Sequence, residues 1–237
     1  MNSNELIQEI KSYCLANADT ERLKKSQRFF KEEFVGHGLT APQQYSKVKE
    51  LQKEGNFDLP TVLEAAPILM KGGMYEEISI ILLLLDGLWK KFTPVTFQMI
   101  DEWFPFSISN WAHADVLGMF ILPKFLDKKI LEMNDFASWL DSPHKFQRRC
   151  VPVTLIKHMK KTREVMPAIL FVERLMTDPE REVHQGMGWF LREAWKINAT
   201  EVEPFLLKYK DSAPRLIIQY ACEKMTPENK LRFKRSK

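Results

Sequence analysis

The apolar residues of this chain recur at helical spacing almost from end to end. Over 4–17, Leu6, Ile7, Ile10 and Tyr13 stand three and four apart, and over 20–35 Leu23, Phe29, Phe30 and Phe34 do so until Gly36-His37-Gly38 interrupts them. Further helices are predicted near 42–53, 60–71, 75–91, 93–103, 108–127, 130–140, 144–161, 164–176, 180–197, 200–208 and 212–224. No alternating run is bounded by hairpin turns, so no strands are expected. The breaks are short and marked by Pro42, Pro60, Gly72-Gly73, Pro94, Pro143, Pro179 and Pro227. No Gly/Ser linker divides the chain, which predicts one continuous domain over 1–237, with an N-terminal helix in 1–20 and a basic tail in 226–237.

A degenerate repeat lies within this pattern. Trp139-Leu140-Asp141-Ser142-Pro143 and Leu175-Met176-Thr177-Asp178-Pro179 each lead into a helix, their prolines 36 residues apart. Asp or Ser before Pro suits a helix start, the side chain capping and the proline filling the first turn. Helix pairs at this interval predict an all-α fold, an α-α superhelix of HEAT-like repeats whose concave face is basic; a compact bundle fits the same pattern.

Composition narrows the picture only slightly. With 45% hydrophobic and 28% charged residues the chain is an ordinary globular sequence, and its formal charge of +4 does not by itself indicate nucleic acid. The distribution says more. From Pro143 to Arg163 there is no acidic residue, while Lys145, Arg148, Arg149, Lys157, Lys160, Lys161 and Arg163 all fall there. A second basic run, Lys230 to Lys237, reads as a solvated face. Cys14, Cys150 and Cys222 fit neither metal-ligand spacing nor a disulfide framework and suggest buried thiols in a reducing compartment. The first residues lack a signal-peptide core and the run Ile78–Leu85 is too short to span a bilayer, so a cytoplasmic location is expected, nucleoid-associated when bound to DNA.

Three segments carry candidate chemistry. In a helix Trp111 and Asp115 share a face, and an indole beside a carboxylate holds a cation through ring face and full charge together. A buried Trp with a solvent-facing Asp has the same spacing. His113 points elsewhere, with no metal-ligand spacing around it, so neither metal nor cofactor is expected. Arg149 and Lys157, eight apart with Arg148 adjacent, suit consecutive phosphates. Trp189 and Arg192 share a face with Lys196 one turn on, while Met187, Phe190 and Leu191 belong to the core; snorkelling basic residues on amphipathic helices would look similar.

Taken in order, these segments resemble bacterial DNA alkylation repair enzymes of the AlkD type, which are HEAT-like DNA glycosylases. The family's Trp-x-x-x-Asp corresponds to Trp111 and Asp115, its Arg to Arg149, and its Gly-Trp-x-Leu-Arg-Glu to Gly188–Glu193. Arg28-Phe29-Phe30-Lys31 and Gly38-Leu39-Thr40-Ala41-Pro42 resemble the second helix and its following turn, and the likeness runs over about residues 20–225. The resemblance implies hydrolysis of the glycosidic bond of cationic N3- or N7-alkylated purines in double-stranded DNA, leaving an abasic site. Asp115, Trp111 and Trp189 would be catalytic, Arg149, Arg148, Lys157, Arg192 and Phe29 would contact DNA, and the protein would act as a monomer. The chain departs from the family in three places: Ala112 replaces a second carboxylate, Phe29 replaces a tyrosine, and Gln43, Gln44 and Tyr45 occupy a region that often holds a basic residue.

A glycosylase is therefore the first expectation. A HEAT-like module that binds damaged or branched DNA without chemistry is the alternative. A protein-binding scaffold is the third, disfavoured by the acid-free stretch 143–163.

Overall fold

The computed structural model describes residues 1–31 and 33–236. Their packing divides into two compact units, Met1–Val116 and Leu117–Lys237, which meet in the chain with no linker between them. Among the described residues there are fourteen α-helices and no strand.

The first unit holds α1 (Ser3–Ala16), α2 (Thr20–Gln27), α3 (Ala41–Glu54), α4 (Leu59–Gly72), α5 (Tyr75–Gly87), α6 (Pro94–Asp101) and α7 (Trp111–Val116). Local chemistry sets the starts: Asn2 with Glu5, and Thr40 with Gln43, form reciprocal capping boxes, and Asp58 caps α4. Helix α5 is apolar around nearly its whole circumference, and Ile78, Ile80, Ile81, Leu82, Leu84 and Leu85 are all buried, as the central helix of a small unit must be. It packs against α1, α3, α4 and α7.

The helix predicted over 20–35 stops at Gln27. Glu32 lies outside the described residues, and Phe34 turns inward to stack on Phe30 at 4.3 Å. Beyond it Gly38 takes φ +82°, where an added Cβ would stand 2.1 Å from the Asp19 carbonyl; the turn Gly38–Pro42 needs glycine there for both reasons. The buried Glu76 carboxylate accepts from the amides of His37, Gly38 and Leu39 at 2.7, 2.8 and 3.1 Å and so anchors this turn on α5.

The second unit begins with a π-helical turn, Leu117–Ile121, followed by α8 (Pro123–Asp127), α9 (Lys145–Thr162), α10 (Val165–Val172), α11 (Arg181–Ile197), α12 (Ala199–Tyr209), α13 (Arg215–Ala221) and α14 (Pro227–Leu231). The segments Met133–Asp141 and Glu173–Thr177, which hold the first three residues of each repeat signature, are 3-10 helices, and Pro143 and Pro179 lie between them and the helices that follow. Helix α9 is the centre, buried from Phe146 to Ile156, and α11 lies between it and α13. Two glycines permit that arrangement. A Cβ on Gly186 would meet Arg149 Cγ at 3.1 Å, and one on Gly188 would meet Tyr220 Cβ at 2.4 Å and the Ile217 carbonyl at 2.9 Å.

The basic run at the C-terminus is not a loose tail. Phe233 is buried, Arg235 donates to the Ala213 carbonyl at 2.8 Å, and the Ser236 amide donates to Asp211 at 2.7 Å. Lys237 lies outside the described residues. All three cysteines are buried. Burial pushes the Cys14 thiol up to about 12, helped by Glu77 and Glu76, and the Cys222 thiol up to about 11. No helix among the described residues is long and apolar enough to cross a membrane.

Candidate functional site

In the first unit Trp111 opens α7 and Asp115 follows one turn later. Trp111 is exposed and Asp115 half-buried, so the pattern is not a core indole with a surface acid. The Trp111 ring stacks on Phe30 at 5.4 Å and 17°, and Phe30 continues onto Phe34. Phe29, the aromatic singled out from sequence, is 76% exposed, and it is its neighbour Phe30 that supports the indole. Consecutive phenylalanines after a helix end could not be told apart without knowing that α2 stops short.

His113 fixes the helix beneath this surface. Its amide donates to Asn110 Oδ1 at 2.9 Å, so the Asn110 amide nitrogen, 2.9 Å from Nδ1, must donate to that ring nitrogen. The ring proton therefore sits on Nε2, which donates to the Tyr75 carbonyl at 3.1 Å, with Ser79 Oγ also at 3.1 Å. Burial lowers the imidazole to about 4, against the opposing hydrogen bond to Tyr75, so His113 is neutral at physiological pH. It is a structural residue under the aromatic stack, completed by Tyr75 at 4.6 Å.

In the second unit the adjacent arginines both turn inward. Arg148 is 9% exposed and grips the buried Asp178 with Nε at 2.6 Å and a second nitrogen at 3.2 Å, and also donates to the Ser142 carbonyl at 2.6 Å. Its expected place on a phosphate gives way to this role, which ties α9 to the turn before α11. The Asp178-Pro179 signature read as a helix start thus owes its acid to Arg148. Arg149 is also buried and donates to the Glu182 carbonyl at 2.6 Å.

Lys157 is exposed and lies over the exposed Phe120 ring at 4.6 Å, with no ion pair to a described residue. Its neighbours on the acid-free stretch do find carboxylates: Lys145 meets Glu182 at 3.2 Å, Lys160 meets Glu193 at 2.6 Å and Lys161 meets Asp127 at 2.8 Å. A stretch without acids in sequence is largely compensated in space, which weakens the argument drawn from it against a protein-binding scaffold.

Trp189 and Arg192 are both half-buried on α11, while Met187, Phe190 and Leu191 are fully in the core as expected. Arg192 pairs with Glu223 and lies 3.4 Å from Glu193. Glu193 is the residue that sequence reasoning undervalued. Its buried carboxylate takes Lys160 at 2.6 Å and Lys196 at 2.8 Å. Burial alone would raise it, but those two hydrogen bonds and charges overcome burial and hold it down at about 2.

A family model for DNA alkylation repair enzymes matches residues 10–225. The chain belongs to the DNA alkylation repair enzyme family. Among solved structures it is similar to a predicted DNA alkylation repair enzyme from Enterococcus faecalis, with a TM-score of 0.75 and 18% identity, over 89% of this chain and 97% of that one. At that identity the likeness speaks for the fold, and with the all-helical architecture it shows an α-α superhelical repeat fold. None of the curated proteins compared matches the chain. Within the family's Gly-Trp-x-Leu-Arg-Glu string, the geometry gives two members a packing reason: Gly188 for the approach of α13 and Glu193 for the link to α9. Trp189 and Arg192 are the members with side chains partly in solvent.

Proposed function

We propose that this protein is a monofunctional DNA glycosylase that hydrolyses the N-glycosidic bond of purines made cationic by alkylation at N3 or N7. The observation that carries the reading is Trp111 held face-on by Phe30 at the exposed start of α7, with Asp115 one turn along. A cationic base is already a good leaving group, so little acid catalysis is needed. What remains is to stabilise the positive charge that develops on the deoxyribose and to direct water to it. The Asp115 carboxylate supplies both, and the Trp111 and Trp189 ring faces add cation–π attraction. In the second unit Lys157 and Arg192 are proposed to hold DNA phosphates, and Arg149, whose guanidinium donates to the Glu182 carbonyl, is proposed to add positive charge there. Phe29, almost wholly exposed, is proposed as an apolar contact to DNA.

The test is release of free methylated purine from alkylated duplex DNA by wild type and Asp115→Asn. Loss of one preorganised charge is worth roughly 10²–10³ in rate. Wild-type release with a mutant slowed by that order supports the reading. Folded protein that binds DNA in a salt-dependent manner yet releases no base refutes it and leaves a DNA-binding module; no DNA affinity at all would leave a protein scaffold.

A further inference from the structure

The basic run that closes the chain forms one wall of a cavity of about 630 Å³ within the second unit. Helix α13 provides the opposite wall, and Lys210, just after α12, closes one end. The wall is built rather than draped: Arg235 and Ser236 are tied to Ala213 and Asp211, Lys210 Nζ donates to Ser236 Oγ at 3.2 Å, and Lys230 donates to the Glu223 carbonyl at 3.0 Å.

The lining is chemically two-faced. Lys210, Arg215, Lys230, Lys234 and Arg235 face Glu223, the one acidic residue among the described residues that line it, and Glu223 is already paired with Arg192 and Lys224. The side chains of Arg215 and Lys234 make no hydrogen bond or ion pair with any described residue, and both are exposed. The floor is apolar, made by Ile218, Cys222 and Phe233. Two uncommitted cations beside others only partly neutralised call for a polyanion rather than a single carboxylate. An apolar floor has no use for a purely hydrophilic anion such as inorganic phosphate. The volume suits a small molecule and is too confined for a duplex, which is ~20 Å wide.

We propose that this cavity binds a nucleoside phosphate, its phosphates between Arg215 and Lys234 and its base and sugar over Ile218, Cys222 and Phe233. None of the residues assigned to glycosylase chemistry takes part, so either reading stands or falls without the other.

Calorimetric titration of the full chain with ADP tests it, with pyrophosphate and adenosine as partial ligands. Saturable 1:1 binding with a Kd between ~10 μM and ~1 mM is expected, and pyrophosphate and adenosine should each bind at least ~5-fold more weakly. Arg215→Ala with Lys234→Ala should weaken ADP at least ~20-fold without moving Tm, since neither side chain has a partner to lose. Absence of saturation, an unchanged Kd in the double variant, or pyrophosphate binding as tightly as ADP would each overturn the proposal. A 5′-phosphorylated single-stranded oligonucleotide is the last arm. If it displaces ADP at concentrations below the ADP Kd, the site belongs to a strand terminus and not to a free nucleotide.

Discussion

Replacing Glu193 by Gln keeps the volume and a hydrogen-bond acceptor and removes one charge from the junction of α9 and α11. The cost follows from the carboxyl's titration. A group at about 2 in the folded protein and at its ordinary 4.5 when unfolded contributes about 3 kcal/mol at neutral pH, each unit being ~1.4 kcal/mol. Because the folded value is lowered, the stabilisation is complete well above pH 4.5 and disappears as pH falls toward 2. Linkage gives a loss of about 1 kcal/mol by pH 4 and about 2 kcal/mol by pH 3. The orphaned lysines add little, since Lys160 and Lys196 are 47% and 46% exposed and water can take them back. Urea unfolding at fixed ionic strength, followed by helical circular dichroism, measures the difference directly. Glu193→Gln should be less stable than wild type by about 3 kcal/mol at pH 7, narrowing to about 2 at pH 4 and about 1 at pH 3. A gap that stays constant across this range would show that Glu193 acts by packing and refute the electrostatic account.

Other expectations are as direct. Gly188→Ala should cost about 1–3 kcal/mol in chemical denaturation, because a backbone carbonyl stands in the way, whereas Gly72→Ala, with open space and a helical backbone, should gain about 0.5–1 kcal/mol; equal effects would contradict the packing described. Arg148→Ala should lose about 3–5 kcal/mol by leaving Asp178 buried and unpaired. Lys157→Ala should barely move Tm while lowering the salt slope of DNA binding by about 1, and a reversed order of these two variants would sink both assignments. Nitrogen-15 NMR should find His113 neutral with its proton on Nε2 down to about pH 5. Its lowered pKa contributes stability that is fully present above pH 6.5 and lost as pH falls toward 4, so a titration near 6.5 would be incompatible with the burial seen here.

Much of the fold could be read in advance because helical periodicity is a local property. The starts of α3 and α4 were marked by Pro42 and Pro60, and the core positions Met187, Phe190 and Leu191 by their spacing. The stretch 108–127 was less legible: it holds α7, a π turn and α8, and nothing local separates them. The relevant constraint is Gly118, whose added Cβ would strike Val153 Cγ1 at 2.8 Å, a neighbour 35 residues away. Charge was the least legible feature. Arg148 looked like a phosphate ligand because Asp178 is 30 residues distant, and Lys160 stood in an acid-free stretch because its partner Glu193 is on another helix. Trp111 and Asp115 were visible as a pair, but the Phe30 support was not, since it depends on where α2 ends.

The state of the three cysteines has a consequence for the conditions under which such a protein works. Alkylating agents attack thiolates far faster than thiols, and repair is needed when those agents are present. Cys14 and Cys222 hold their protons with values of about 12 and 11, and Cys14, Cys150 and Cys222 are all buried. Cys14 and Cys150 are sealed from solvent, and Cys222, which borders the cavity of the second unit, is held protonated, so these thiols are poor targets for the agents that alkylate DNA.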